Sequence, residues 1–352
     1  MMRNNKSLLL FISLLLLIQS TQAYPITVTD SLGNEITIEK APERIISLIP
    51  SNTEILFAVG AGDKVVGVTD HCDFPAEARN ISAVGGYAGF NTEKILELEP
   101  DLVLGEAGND KDTLDNLRKH GLTVVTLESK TVEDILDNIL LVGSITGNEN
   151  KSMEIVDGMR EAVGLIKEQA GSMTDSERPR VLYLVSLEPM YVAGANSFPD
   201  SLITIAGGKN IVEAENWPIL SLEEVVDKDP DIIICSGMGG FGDIIKGQVV
   251  ANKLMSETNA MKNDKVIVIS DSNLIERPGP RIVDGLAELH GYFSDFSTGA
   301  SMQSQNEGQS AGSLAQPDKD AAGSPSAAAP GFGFLIAVAM LVGACFLKNV
   351  RK

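Results

Sequence analysis

Two glutamates 130 positions apart head matching segments. Glu93, Ile95, Leu96, Pro100, Asp101, Leu102, Val103 and Leu104 correspond to Glu223, Val225, Val226, Pro230, Asp231, Ile232, Ile233 and Ile234. Each segment reads as a short helix opened by Glu, a Pro-Asp break and a buried-type strand. A first-turn carboxylate favours its own helix by ~0.3–1 kcal/mol, and Asn91 or Thr92, and Ser221 with Glu224, supply capping residues. A matched pair allows a second use: two carboxylates can dock on a two-fold partner bearing Arg. Rim ion pairs contribute only ~0–1 kcal/mol apiece but orient association.

A second group lies at 273–281. Asn273, Glu276, Arg277 and Arg281 stand in a stretch stiffened by Pro278, Gly279 and Pro280. It follows a predicted strand at 266–269, so it belongs at a strand's carboxyl end, where open α/β sheets place ligands. Tyr87, Phe90 and Trp217, the only Trp, fall in similarly placed stretches and suit either a flat ligand face or plain packing. His71 beside Cys72 and Asp73 reads as structural or ligand-lining. With three His and three Cys and no CxxC pair, neither a zinc cluster nor a resident metal or cofactor is expected. Gly237-Met238-Gly239-Gly240-Phe241-Gly242 has the GxGxxG spacing. It follows the second strand of its lobe rather than the first and lacks an acid near ~20 residues on, so a Gly-rich cleft loop is expected rather than a dinucleotide site. No GxSxG, HExxH or Walker spacing occurs, and no enzyme is expected.

Short apolar runs alternate with amphipathic helices. Strands are predicted at 45–49, 65–68, 102–104, 123–127, 181–185, 232–235 and 266–269, and helices at 52–59, 92–98, 111–119, 131–145, 200–206, 221–227 and 281–295. Residues 26–38 read as a hairpin around Asp30 to Asn34. Met153, Val156, Met159, Val163, Ile166 and Ala170 form the apolar stripe of one long helix. The fold class is therefore α/β, with two Rossmann-like lobes of mainly parallel sheets (24–149 and 173–296) joined by one helix at 150–172.

The ends differ from this body. Arg3 and Lys6, an apolar run from Leu8 to Ile18 and Ala23 mark residues 1–23 as a secretory signal. Residues 297–329 are Ser, Gly, Ala, Gln, Asp and Pro-rich, a tether composition that buries too little to order itself. From 330, an uncharged run to Leu347 precedes Lys348, Arg351 and Lys352, so the basic end should stay cytoplasmic and the body outside. The two ends hold five bases and no acid, leaving 23 bases against 48 acids between them. A nucleic-acid partner is excluded by that charge.

Several of these motifs together resemble one family: the substrate-binding proteins of ABC importers for cobalamin, ferric siderophores and haem. They are Pro42-Glu43-Arg44-Ile45-Ile46-Ser47-Leu48, Pro50-Ser51-Asn52-Thr53-Glu54, Asp73-Phe74-Pro75, Phe90-Asn91-Thr92-Glu93-Lys94-Ile95, Pro100-Asp101-Leu102-Val103, and Glu276-Arg277 with Pro280-Arg281. The resemblance, nearest to the cobalamin branch, implies a ligand cleft between the lobes and a corrinoid ligand, with ferric siderophore or haem as the alternative. It implies that Glu93 and Glu223 dock on a permease dimer served by a cytoplasmic ATPase. His71, Tyr87, Trp217, Asn273 and Arg277 match the branch's ligand-contacting positions, although an aromatic expected near Gly105 is absent and Asn273 replaces an Asp. Residues 330–352 resemble an archaeal PGF-type sorting signal, which implies anchorage at the cell surface. An anchored adhesion or scaffold protein is the remaining alternative.

Overall fold

The computed structural model describes residues 24–86, 89–237 and 239–310. The expected signal (1–23) and anchor (330–352) lie outside them. Two compact units emerge: one holds the chain to Glu128 with Asp137–Ile155, the other Ser129–Leu136 and the chain from Val156.

The first unit begins with the hairpin β1 (Ile26–Thr29) and β2 (Glu35–Ile38). Then follow β3 (Ile45–Ser47), α1 (Pro50–Ala58), β4 (Val65–Val68), β5 (Ser82–Ala83) and the small hairpin β6 (Gly85–Gly86) and β7 (Gly89–Phe90). The unit continues with α2 (Thr92–Glu97), β8 (Leu102–Glu106), α3 (Lys111–Lys119), β9 (Val124–Leu127) and, from Asp137 on, α4 (Val132–Thr146). Its sheet has the order β5-β4-β3-β8-β9, parallel throughout. Strands buried on both faces need apolar residues at successive positions, and Ile45, Ile46, Leu102, Val103 and Leu104 are all buried.

Asp30 seats the hairpin on this sheet. Its carboxylate accepts from Leu32 and Asn34 backbone N–H groups (3.0 and 2.8 Å) and from the Thr126 hydroxyl of β9 (2.6 Å), while the Ser31 N–H donates to Thr126 O (2.9 Å). Burial by itself raises this carboxyl's pKa, but the bonds from Thr126 and Asn34 together outweigh it and hold the value below the ordinary one. A depressed folded pKa gives stability that is present above the unfolded value of ~3.9 and lost as pH falls through the folded one. Asp30→Ala should cost ~2–3 kcal/mol at neutral pH, read as a lower denaturant midpoint, with the deficit shrinking in acid. An unchanged midpoint at neutral pH would show the network to be dispensable.

Helix α5 (Glu149–Gly171) carries the chain from the first unit into the second. Its buried stripe is Ser152, Ile155, Val156, Met159, Val163, Ile166 and Ala170, whereas Met153, expected in that stripe, is 47% exposed. The reason is a close approach: a Cβ on Gly143 of α4 would meet Ser152 Oγ at 2.1 Å, so the small Ser faces α4 and rotates Met153 outward.

The second unit contains β10 (Arg180–Leu187), β11 (Met190–Val192), α6 (Phe198–Ala206), β12 (Lys209–Asn210), α7 (Leu222–Lys228), β13 (Ile232–Cys235), α8 (Gly242–Ala251), α9 (Asn259–Lys262), β14 (Val266–Ile267), α10 (Asn273–Glu276) and α11 (Ile282–Ser310). The sheet runs β11-β10-β13-β14 with β12 also on β10; only β11 is antiparallel. A tether was expected from 297, yet α11 continues through Ser310. Leu286, Leu289 and Phe293 are buried and fix the helix, and extending an existing helix needs no new nucleus.

Both units repeat one device. In the first, Asp101 Oδ1 accepts from the Arg44 N–H (2.9 Å), and the Arg44 guanidinium donates to Leu98 O and Glu99 O (both 3.0–3.1 Å through Nε). In the second, Asp231 Oδ2 accepts from the Arg180 N–H (2.9 Å), and Arg180 donates to Lys228 O and Asp229 O. Glu99 (φ 47°) and Asp229 (φ 44°) share the left-handed conformation at the helix end. Each Arg thus satisfies terminal helix carbonyls while tying the helix to the first strand of its sheet.

Candidate functional site

That clamp sets the two glutamates. The Asn91 side chain caps α2 by accepting from Lys94 N–H (3.0 Å), and Ser221 caps α7 in a reciprocal pair with Glu224, at 3.2 and 2.7 Å. Glu93 and Glu223 are each the second residue of their helix, and each is exposed. Leu102 and Ile232, which begin the strands that follow, each come nine positions after the Glu, so each carboxylate holds the same place relative to its own sheet.

In the first unit His71 is exposed in the stretch after β4, beside buried Cys72. The Cys72 sulfur is held between hydroxyls, accepting from Thr53 Oγ1 (3.1 Å) and lying 3.2 Å from Thr69 Oγ1. Tyr87 falls between β6 and β7, outside the described residues. Phe90, considered for a ligand face, packs instead on the core formed by Ile46, Leu48, Val84 and Ile95. It is half-buried there.

In the second unit the stretch 273–281 is more ordered than a loop. Asn273 opens α10, and Arg277, half-buried, follows that helix with its N–H bonded to Asn273 O (3.1 Å). The Asn273 side chain donates to Asp271 Oδ1 (2.8 Å), and Arg281 Nη1 donates to Asp271 Oδ2 (3.2 Å). Asp271 is therefore the organising carboxylate here, and one turn brings Asn273 and Arg277 together.

Trp217 stands on another segment. Residues 216–220 run beside β11, with Val192 N–H donating to Pro218 O (3.2 Å) and Leu220 N–H to Met190 O (3.2 Å). Tyr191 pairs with Ile219 across this ladder, and Tyr191, Trp217 and Ile219 are 40, 48 and 56% exposed. Tyr191 and Ile219 were not anticipated, although Met190-Tyr191-Val192 buries its two outer residues and exposes the middle one, the alternation of a half-exposed strand. Successive strands lie ~4.8 Å apart, so the sheet from β11 to β14 spans roughly 14 Å. Trp217 lies in the segment beside β11, at one end of that order, whereas Arg277 follows α10, which is bonded to the segment after β13.

The GxGxxG stretch has a packing role. A Cβ on Gly242 would lie 2.7 and 2.8 Å from Ser236 O and Cys235 O, so glycine lets α8 start directly against β13. Gly237, Gly239 and Gly240 have φ of 77, 82 and 90°. The Gly239 N–H donates to Glu276 Oε2 (3.3 Å). The anion held by this loop is the protein's own carboxylate, and a pyrophosphate there would meet like charge. Cys235, buried beneath it, has its thiol pushed up to about 12 by burial, with Lys246 opposing, and stays protonated. Among the described residues no group of three or more His, Cys, Asp or Glu could hold a metal ion, and no helix is long and apolar enough to cross a membrane.

Two lobes with parallel sheets, a repeated helix-clamp-strand unit and exposed aromatic and charged groups at the strand ends define a duplicated α/β binding protein. Residues 45–272 match the model of the family described as periplasmic binding protein, and the chain belongs to that family. It is 33% identical to the ABC transporter substrate-binding lipoprotein YvrC of Bacillus subtilis over 77% of this chain and 86% of that one. It is 31% identical to a cobalamin-binding protein of Halobacterium salinarum over 93% and 89% of the two chains. Among solved structures, the periplasmic vitamin B12 binding protein BtuF of Vibrio cholerae superposes with a TM-score of 0.64 at 30% identity, covering 72% of this chain and 98% of that one.

Proposed function

We propose that this protein is the extracytoplasmic substrate-binding protein of an ABC importer, capturing a corrinoid and delivering it to a permease dimer with a cytoplasmic ATPase. The observation that carries the reading is the duplicated carboxylate: Glu93 and Glu223 stand at the same position of equivalent capped helices, each exposed. Two equivalent acidic points suit a partner made of two equivalent subunits. Resemblance to cobalamin-binding relatives over nearly the whole chain supports the ligand class.

In this reading the ligand contacts are His71, Tyr87, Trp217, Asn273 and Arg277. Flat apolar surface at Tyr191, Trp217 and Ile219 takes the face of a macrocycle, and Arg277 donates hydrogen bonds to its polar substituents. No bond is made or broken, and no cofactor takes part. The loaded protein seats Glu93 and Glu223 on the permease, and ATP-driven opening of the channel releases the ligand. The apolar run and basic end at 330–352 keep the protein at the outer face of the cytoplasmic membrane, through a lipid-bearing or spanning end.

Titration of the purified protein with cyanocobalamin, haemin and a ferric hydroxamate tests the ligand. Saturable binding of cyanocobalamin with no response to the two iron chelates is expected. Binding of a chelate in its place moves the reading to haem or siderophore import. Silence toward all three would leave the anchored surface protein without a small ligand.

A further inference from the structure

Helix α10 has four residues and cannot hold its own orientation, because a single turn gains too little to offset nucleation. Two neighbours orient it. On one side a Cβ on Gly285 of α11 would meet Leu274 O at 2.4 Å, so α10 and α11 touch backbone to backbone. On the other side both carboxylate oxygens of Glu276, the last residue of α10, are engaged by a different segment. The Ser236 hydroxyl donates to Oε1 in a short bond, and the Gly239 N–H donates to Oε2 at 3.3 Å.

This contact reaches the centre of the sheet. Ser236 directly follows β13 and is buried. Tyr183 on β10, also buried, is near enough for its phenol to be influenced by Ser236 and Glu276. Burial keeps that phenol protonated far above the ordinary range, with Glu276 adding to the effect and Ser236 opposing it. The Ser236 hydroxyl and the Gly239 N–H together tie the segment that follows β13 to α10 through Glu276. The next residue is Arg277.

We propose that Glu276 is the positioning residue of the ligand site, fixing α10 through Ser236 and Gly239 so that Arg277 is preorganised. This rests on the reading of Arg277 as a ligand contact. Preorganisation raises affinity because the ordering of the guanidinium is completed before the ligand arrives. Glu276 itself touches no ligand; its effect passes through its neighbour.

The test is a double-mutant cycle read by equilibrium dialysis of cyanocobalamin. Glu276→Ala should weaken binding about tenfold, and Glu276→Gln, which keeps one acceptor oxygen for Ser236, should recover part of it. Combined with Arg277→Ala, Glu276→Ala should add nothing further, because the residue it orients is gone. Additive losses in the double variant would overturn the proposal, since a general structural role lowers affinity whether or not Arg277 is present. A second measurement needs no ligand. Amide exchange at Gly239 and Arg277 in the ligand-free protein should quicken in Glu276→Ala, or in Ser236→Ala should the first variant fold poorly, and unchanged exchange would overturn the clamp. Failure of the wild-type protein to bind cyanocobalamin counts against the corrinoid reading and leaves the clamp to be judged by exchange.

Discussion

Uptake of corrinoid by cells carrying Glu93→Ala together with Glu223→Ala is expected to fall about a thousandfold, with the dissociation constant of the isolated protein within about twofold of wild type. The magnitude follows from where the carboxylates stand. Free, both are exposed, and each favours its own helix by only ~0.3–1 kcal/mol. Docked against Arg and shielded from water, each belongs to a pair whose truncation costs ~2–5 kcal/mol, because the partner charge is left buried and alone. Two such losses combine, and each single variant should fall between wild type and the double. The clamps Arg44–Asp101 and Arg180–Asp231 remain, so the melting temperature should change little. Normal uptake by the double variant, or a large drop in ligand affinity, would mean that the docking points lie elsewhere.

Trp217→Ala and Arg277→Ala should each weaken cyanocobalamin binding by roughly 10- to 100-fold while leaving the fold intact. A half-exposed Trp that becomes covered in a complex is a typical hot spot, worth ~2 kcal/mol or more. A hydrogen bond from a guanidinium contributes ~1.5–3 kcal/mol. Neither side chain belongs to the buried core, so stability is spared. Since Trp217 is the only Trp, quenching of its fluorescence on titration reports the contact directly. Absence of quenching, with wild-type affinity in Trp217→Ala, would remove the platform at Tyr191, Trp217 and Ile219 from the ligand site.

Much of the architecture is legible in the amino-acid order because it is local. The apolar runs at 45–49, 102–104, 232–235 and their neighbours coincide with observed strands, and the helices at 92–98, 111–119 and 221–227 with observed helices to within a residue or so. The duplication is legible too, through Glu93 and Glu223 and the Pro-Asp breaks that follow them. Errors arose where a neighbour overrode the local pattern. Met153 continues the apolar period yet turns outward because Ser152 fits against Gly143. Phe90, whose position suits either a ligand face or packing, lies half-buried against a core.

The candidate site was legible only as a set of residue types. Glu93, Glu223, Trp217 and Arg277 can be picked out by kind and position, and the order of residues alone makes them acidic, aromatic and basic groups at the ends of predicted elements. What each is tied to depends on partners far away in the chain: Asp101 lies 57 residues from Arg44, Glu276 lies 40 from Ser236, and Thr126 lies 96 from Asp30. Helix and strand periods repeat over a few residues, so a short window reveals them. Which carboxylate meets which hydroxyl is decided by strand order and by the close contacts at Gly242 and Gly285, and those exist only once the sheets have assembled.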